Sequence, residues 1–118
     1  MTALLVGIGG LAGVMARYGI TRLTAGSDAL LWSTVGINVV GSFLLGLLVA
    51  ESWFSRDVRE AIGIGFLGGF TTFSTFSAQV VLEVEGGRAG TAVAYLLLSV
   101  VGGIAAAAAG YALGRTLA

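Results

Sequence analysis

The sequence predicts an all-α integral membrane protein of four transmembrane helices, and three observations carry that expectation. The chain has 118 residues, of which 57% are hydrophobic and only 10% charged; a soluble domain carries about 25% charged residues. Its mean hydropathy is +1.00. Its charges are spaced so that they leave four uncharged runs, three of them of spanning length. A chain this small buries too little surface to hide that much apolar side chain from water. Lipid is the solvent that removes the conflict, and a single membrane domain over residues 1–118 is expected.

The first uncharged run, Met1 to Ala16, is short. It reaches the roughly 20 residues that a spanning helix needs only if Arg17 lies within the helix or snorkels from its end. Met1–Thr2 offers no basic stretch ahead of it, so the segment is expected to be retained as a span. The other runs are Ala29 to Ala50, Ala61 to Leu82 and Ala89 to Gly114. The expected spans are residues 3–24, 29–53, 58–84 and 89–116. Gly26-Ser27-Asp28, Ser55-Arg56-Asp57 and Glu85-Gly86-Gly87-Arg88 connect them. Connections this short make consecutive helices antiparallel neighbours. The termini and the second loop then share one side of the membrane.

Composition excludes several classes of function. Six acidic and six basic residues give no net charge, and no basic tract exists to bind nucleic acid. Cysteine and histidine are absent, which removes disulfides, thiol metal sites and the commonest general base. No acid or base stands in the middle of any span, so an enzyme is not expected.

Arginines set membrane orientation through their imbalance. Here one side would hold Arg56, Arg59 and Arg115, and the other Arg17, Arg22 and Arg88. Either a single charge near a helix end decides the orientation, or the chain inserts both ways up and pairs as an antiparallel, dual-topology dimer. Four short helices enclose little alone, which favours an oligomer. Small residues spaced by four allow close helix contact: Gly9/Gly13, Gly65/Gly69, Ala106/Gly110 and Gly110/Gly114. Most of these are expected to pack helices within one subunit.

The third span carries the chemistry. It reads Gly65-Phe66-Leu67-Gly68-Gly69-Phe70-Thr71-Thr72-Phe73-Ser74-Thr75-Phe76-Ser77. Paired glycines weaken the helix at mid-membrane, and five hydroxyls follow within seven residues. A break near the middle of this helix is expected. In lipid it is tolerated only where the freed carbonyls meet protein, water or an ion, as where transporters bind ions. The local pattern alone also suits a packing groove with hydroxyls bonded back to their own helix.

This segment resembles the central motif of the Fluc/CrcB family of fluoride channels. Gly36-Ile37-Asn38-Val39-Val40-Gly41-Ser42-Phe43 is similar to the family's GxNxxG-S/A-F element. Gly9-Gly10-x2-Gly13-x3-Arg17-Tyr18 is similar to its GGxxGxxxRY element. The three occur in order, and the resemblance covers essentially the whole chain. It implies an antiparallel homodimer in a prokaryotic plasma membrane, with two fluoride pores and a structural sodium ion at its centre. The function implied is passive fluoride export that limits toxicity.

The resemblance implies roles for particular residues. Phe73 and Phe76 match the two pore phenylalanines, and Asn38 the pore asparagine. Fluoride is small and tightly hydrated, so donors must replace its water. The Asn38 amide offers two N–H groups, and aromatic edges carry positive quadrupole charge that attracts an anion without trapping it. Phenylalanines at this spacing are more commonly plain packing residues. Thr72, Ser74 and Thr75 would donate further along the path. Tyr95 and Ser99 match a polar track, with an interfacial anchor as the other reading of Tyr95. Gly68 and Thr71 match positions whose backbone carbonyls hold sodium, and carbonyl oxygen suits a hard cation. Arg17 would draw anions into a vestibule or, alternatively, anchor the helix end. Two positions depart from the pattern of some relatives: Gln79 stands where they carry glutamate, and Gly103 where they carry serine.

Two other functions compete. Small multidrug-type antiporters share the length and the four spans, but need a buried acid in the first helix, and this first span has none. A non-transporting assembly protein would explain the glycines, but not Asn38 together with the TTFSTF string.

Overall fold

The computed structural model describes residues 1–26 and 28–118. It contains helices α1 (Thr2–Thr24), α2 (Ala29–Ala50), α3 (Arg56–Glu60), α4 (Gly68–Phe70), α5 (Phe73–Glu85) and α6 (Ala89–Leu117). A π-helical stretch, Ala61–Leu67, joins α3 to α4. Four runs are long and apolar enough to cross a membrane: Thr2–Thr24, Ala29–Ala50, Arg56–Glu85 and Ala89–Leu117. The molecule is 48 Å long, which exceeds the ~30 Å hydrocarbon core of a bilayer.

The helix ends follow local chemistry. Gly26 (φ +79°) and Gly87 (φ +78°) take the left-handed turns that follow α1 and α5, a conformation glycine adopts without steric cost. Ser27, in the first connection, lies outside the described residues. Arg17 falls inside α1, which gives the short first run its spanning length. The second helix stops at Ala50 instead of continuing to residue 53. There Glu51 turns extended (φ −76°, ψ 167°), and its carboxylate accepts the N–H groups of Trp53 and Phe54. The third span begins at Arg56, because the Ser55 hydroxyl caps it by accepting the Val58 N–H.

Glycine decides which helices touch. A Cβ on Gly13 would strike the Phe66 carbonyl, and one on Gly65 the Val6 carbonyl. Gly9 and Gly69 meet Ala61 and Gly10 in the same way. The Gly9/Gly13 and Gly65/Gly69 spacings are therefore two halves of one seam between α1 and the third span. On the other side, Gly110 and Gly114 lie against the carbonyls of Phe43 and Leu47, and Gly46 against that of Ala107, which locks α2 to α6. All these contacts lie within one chain. Only a few side chains, chiefly Leu31, Phe76 and Tyr95, form a buried cluster. The leucines and valines along the outer faces are exposed, as expected where acyl chains are the solvent.

Candidate functional site

The site is built around a lapse in helical hydrogen bonding within the third span. Helix α4 ends at Phe70, and Thr71 (φ −88°, ψ 158°) and Thr72 (φ −150°, ψ 123°) are both extended. Helix α5 begins at Phe73. Asn38, on α2, stitches this gap with both ends of its amide. Its Nδ2 donates to the Thr72 carbonyl (3.0 Å), and its Oδ1 accepts the Thr72 N–H (2.9 Å). The Thr72 hydroxyl accepts the Thr75 N–H (3.2 Å) and so caps α5.

These bonds redirect specific backbone donors. In a continuous helix, the Thr72 N–H would go to the Gly68 carbonyl and the Thr75 N–H to the Thr71 carbonyl. Here Asn38 takes the first and the Thr72 hydroxyl takes the second. Gly68 and Thr71 thus lose their helical donors, and both line a cavity of about 360 Å³. The Gly69 carbonyl between them is instead bonded by Arg17 Nε at 3.1 Å. The Leu67 carbonyl accepts both the N–H (3.0 Å) and the hydroxyl (2.8 Å) of Thr71.

The cavity lies between α2, the third span and α6. Asn38, Thr72, Phe73, Phe76 and Ser99 line it together. Phe73 and Phe76 are tilted by 49° with ring centroids 5.9 Å apart. Their surroundings differ sharply: Phe73 is 78% exposed and Phe76 only 6%. The i, i+3 spacing puts the rings side by side, but Phe76 packs inward while Phe73 projects from the surface of the chain. Ser99 Oγ is buried with no hydrogen-bond partner among the described residues.

Other expected residues lie elsewhere. Tyr95 is fully buried and does not border the cavity. Its ring stacks on Phe76 (5.1 Å, 15°), and its hydroxyl donates to Gln79 Oε1 at 2.5 Å. Gln79 therefore serves as acceptor for Tyr95, a pairing that sequence spacing does not reveal because the partners sit on different helices. Ser74 is exposed and Thr75 half-buried, and neither borders the cavity. Arg17 is half-buried, with its guanidinium turned to the Gly69 carbonyl. Gly103 lies beside Ser42: a Cβ there would meet Ser42 Oγ at 3.6 Å. Ser42 borders the cavity, and its place in the GSF element was the one available signal.

Glu51 is the acid that the fold buries, with its side chain 1% exposed. Arg59 pairs with its carboxylate and bonds its carbonyl, each at 3.1 Å. Trp53, beside it, donates from Nε1 to the Leu117 carbonyl at 2.9 Å. This knot ties the ends of three spans together. A carboxylate so fully engaged is a structural group, unlike the exchangeable acid of a proton-coupled antiporter.

The sequence model of the family described as CrcB-like protein, Camphor Resistance (CrcB), matches residues 4–111. Three relatives named fluoride-specific ion channel FluC are similar over nearly the whole chain. A Thermus thermophilus protein is 41% identical, covering 97% of this chain and 95% of its own. The Agrobacterium fabrum protein is 43% identical, with 96% and 95% covered. The Gloeobacter violaceus protein is 42% identical, with 98% and 97% covered. With its match to the family running almost from end to end, this chain belongs to the CrcB family.

Proposed function

We propose that this protein is a fluoride-selective ion channel and not an enzyme. Its task is to let fluoride leave a prokaryotic cell passively across the plasma membrane, which limits toxicity. It works as an antiparallel, dual-topology homodimer with two pores and a structural sodium ion at its centre. The observation that carries this reading is the cavity at the Thr71–Thr72 interruption, where amide, hydroxyl and aromatic groups converge in a chain whose relatives are named fluoride channels.

The residues suit the task. The third span is broken so that it can present backbone and hydroxyl groups to an ion. Asn38 has two N–H donors; one holds the Thr72 carbonyl, and the second serves fluoride. The Thr72 hydroxyl, which accepts from Thr75, keeps its own O–H to donate. Phe76 presents its edge to the path inside one subunit. Phe73, exposed on a single chain, reaches toward a second copy, which is why two chains complete a pore. Ser99 brings an unpaired donor. Ser74 and Thr75 continue the donors along α5. Tyr95 acts through its ring, fixing Phe76 from behind. Arg17 supplies positive potential at the inner end of the vestibule.

The Gly68 and Thr71 carbonyls fit a hard cation, being neutral oxygens from which the helix has withdrawn its donors. Sodium held by these carbonyls would supply a fixed positive charge at the proposed dimer centre. Liposomes loaded with fluoride or chloride and containing the purified protein test the channel reading. Rapid fluoride release without chloride release is expected. Absence of fluoride release from folded, dimeric protein supplied with sodium would overturn it.

A further inference from the structure

We infer that Ser42 is an additional fluoride-binding group of the pore, donating its hydroxyl to the ion from α2 one turn beyond Asn38. The inference rests on the channel reading and adds a residue to its path.

Hydroxyls in membrane helices usually bond back to a carbonyl of their own helix. Several hydroxyls here follow that habit: Ser33 and Thr34 both donate to the Leu30 carbonyl, Thr71 to that of Leu67 and Ser77 to that of Phe73, while Ser74, Thr75 and Thr91 do not and lie away from the cavity. Ser42 departs from the habit too. Among the described residues it makes no hydrogen bond. Ser99 departs in the same way, and both border the cavity that also holds Asn38, Thr72 and Phe76.

The position is determined by spacing and by the absence of a side chain opposite. Asn38 and Ser42 are four residues apart on α2 and share a face. Across from Ser42 stands Gly103 of α6, which leaves the space open: a Cβ there would meet Ser42 Oγ at an ordinary 3.6 Å and nothing closer. One turn further along α2, Gly46 presses onto the Ala107 carbonyl, and the helices close. Beyond Ser42, α2 carries only apolar side chains to its end, as does α6 from Ser99 to Tyr111. Ser42 and Ser99 are thus the last donors before the seam seals. The Ser99 hydroxyl is buried without a partner, which costs free energy, and the half-buried Ser42 hydroxyl borders the same cavity. A dehydrated anion bonded there offsets that cost.

The test uses the full-length protein in liposomes with a fluoride electrode, comparing wild type, S42A, G103S and the S42A/G103S double variant. A hydrogen bond to a charged partner is strong enough that its loss slows passage by roughly tenfold. S42A is expected to show that loss. G103S places a hydroxyl in the same space from the opposite helix, so the double variant is expected to recover to within about threefold of wild type, given that a single bond is restored. G103S alone is expected to conduct. Size-exclusion profiles identical to wild type show that assembly is intact. Wild-type flux in S42A, or a loss that G103S leaves unrescued, would overturn the inference. Wild-type protein that releases no fluoride would instead overturn the channel reading, and this inference with it.

Discussion

Asn38 is the residue on which most of the site depends. Its amide accepts the Thr72 N–H, which has no helical acceptor, and adds a donor to the Thr72 carbonyl at the start of α5. N38A leaves the Thr72 N–H unpaired and takes a donor from the Thr72 carbonyl, at about 1–3 kcal/mol for the unpaired N–H. Fluoride flux is expected to fall at least tenfold, with a lower melting temperature in detergent. N38D keeps the acceptor for the Thr72 N–H but brings negative charge to an anion path. It is expected to abolish flux and also to lower the melting temperature, because a carboxylate oxygen then faces the Thr72 carbonyl that Nδ2 had bonded. The two phenylalanines separate along a different line. F76I removes a buried ring that stacks on Tyr95, and F73I an exposed one. Both are expected to stop fluoride passage with dimers intact. F76I alone should also cost stability, roughly 1–2 kcal/mol for lost core contact. Undiminished efflux in either variant would remove that ring from the pore.

At the scale of elements, the seam between α1 and the third span depends on absent side chains. G13V would drive a branched side chain into the Phe66 carbonyl. Overpacking costs about 1–3 kcal/mol, and helix separation would also carry Arg17 away from Gly69. Lower melting and lower flux are expected together, whereas G7V, where a Cβ meets nothing within 4 Å, should behave as wild type. The Glu51 knot behaves differently because it lies off the cavity. E51A leaves the N–H groups of Trp53 and Phe54 and the Arg59 guanidinium without their shared acceptor. A stability loss of about 2 kcal/mol is expected, with selectivity for fluoride over chloride unchanged. Loss of selectivity would place Glu51 in the conduction machinery.

For the whole molecule, the proposed dimer is the question that matters. The chain has no cysteine, so a single introduced thiol reports its own location. S52C in the second connection is expected to react with a membrane-impermeant thiol reagent from both sides of the membrane, in roughly equal shares, as balanced arginines imply. Labelling from one side alone would leave a parallel or monomeric assembly. Replacing sodium with a large organic cation during purification is expected to weaken dimers and flux together.

The sequence determined how many long apolar spans the chain forms and in what solvent, because those depend on composition and on the spacing of charges. The uncharged runs locate all four spans, with ends misjudged only where a side chain capped the backbone, as at Glu51 and Ser55. It also marked Asn38, Thr72 and Phe76 as a set, through motif resemblance. Tertiary structure decided what each does. Residues 34 apart in the chain, Asn38 and Thr72, hydrogen-bond in both directions, and Arg17 reaches Gly69 across 52. Helical periodicity could not foresee that Tyr95 would turn its hydroxyl to Gln79, or that Ser42 and Ser99 would be left unpaired. Periodicity assigns residues to a face of one helix, whereas hydrogen-bond partners come from whichever helix packs opposite. Here glycine contacts fixed that choice, because a carbonyl can approach only where no Cβ stands.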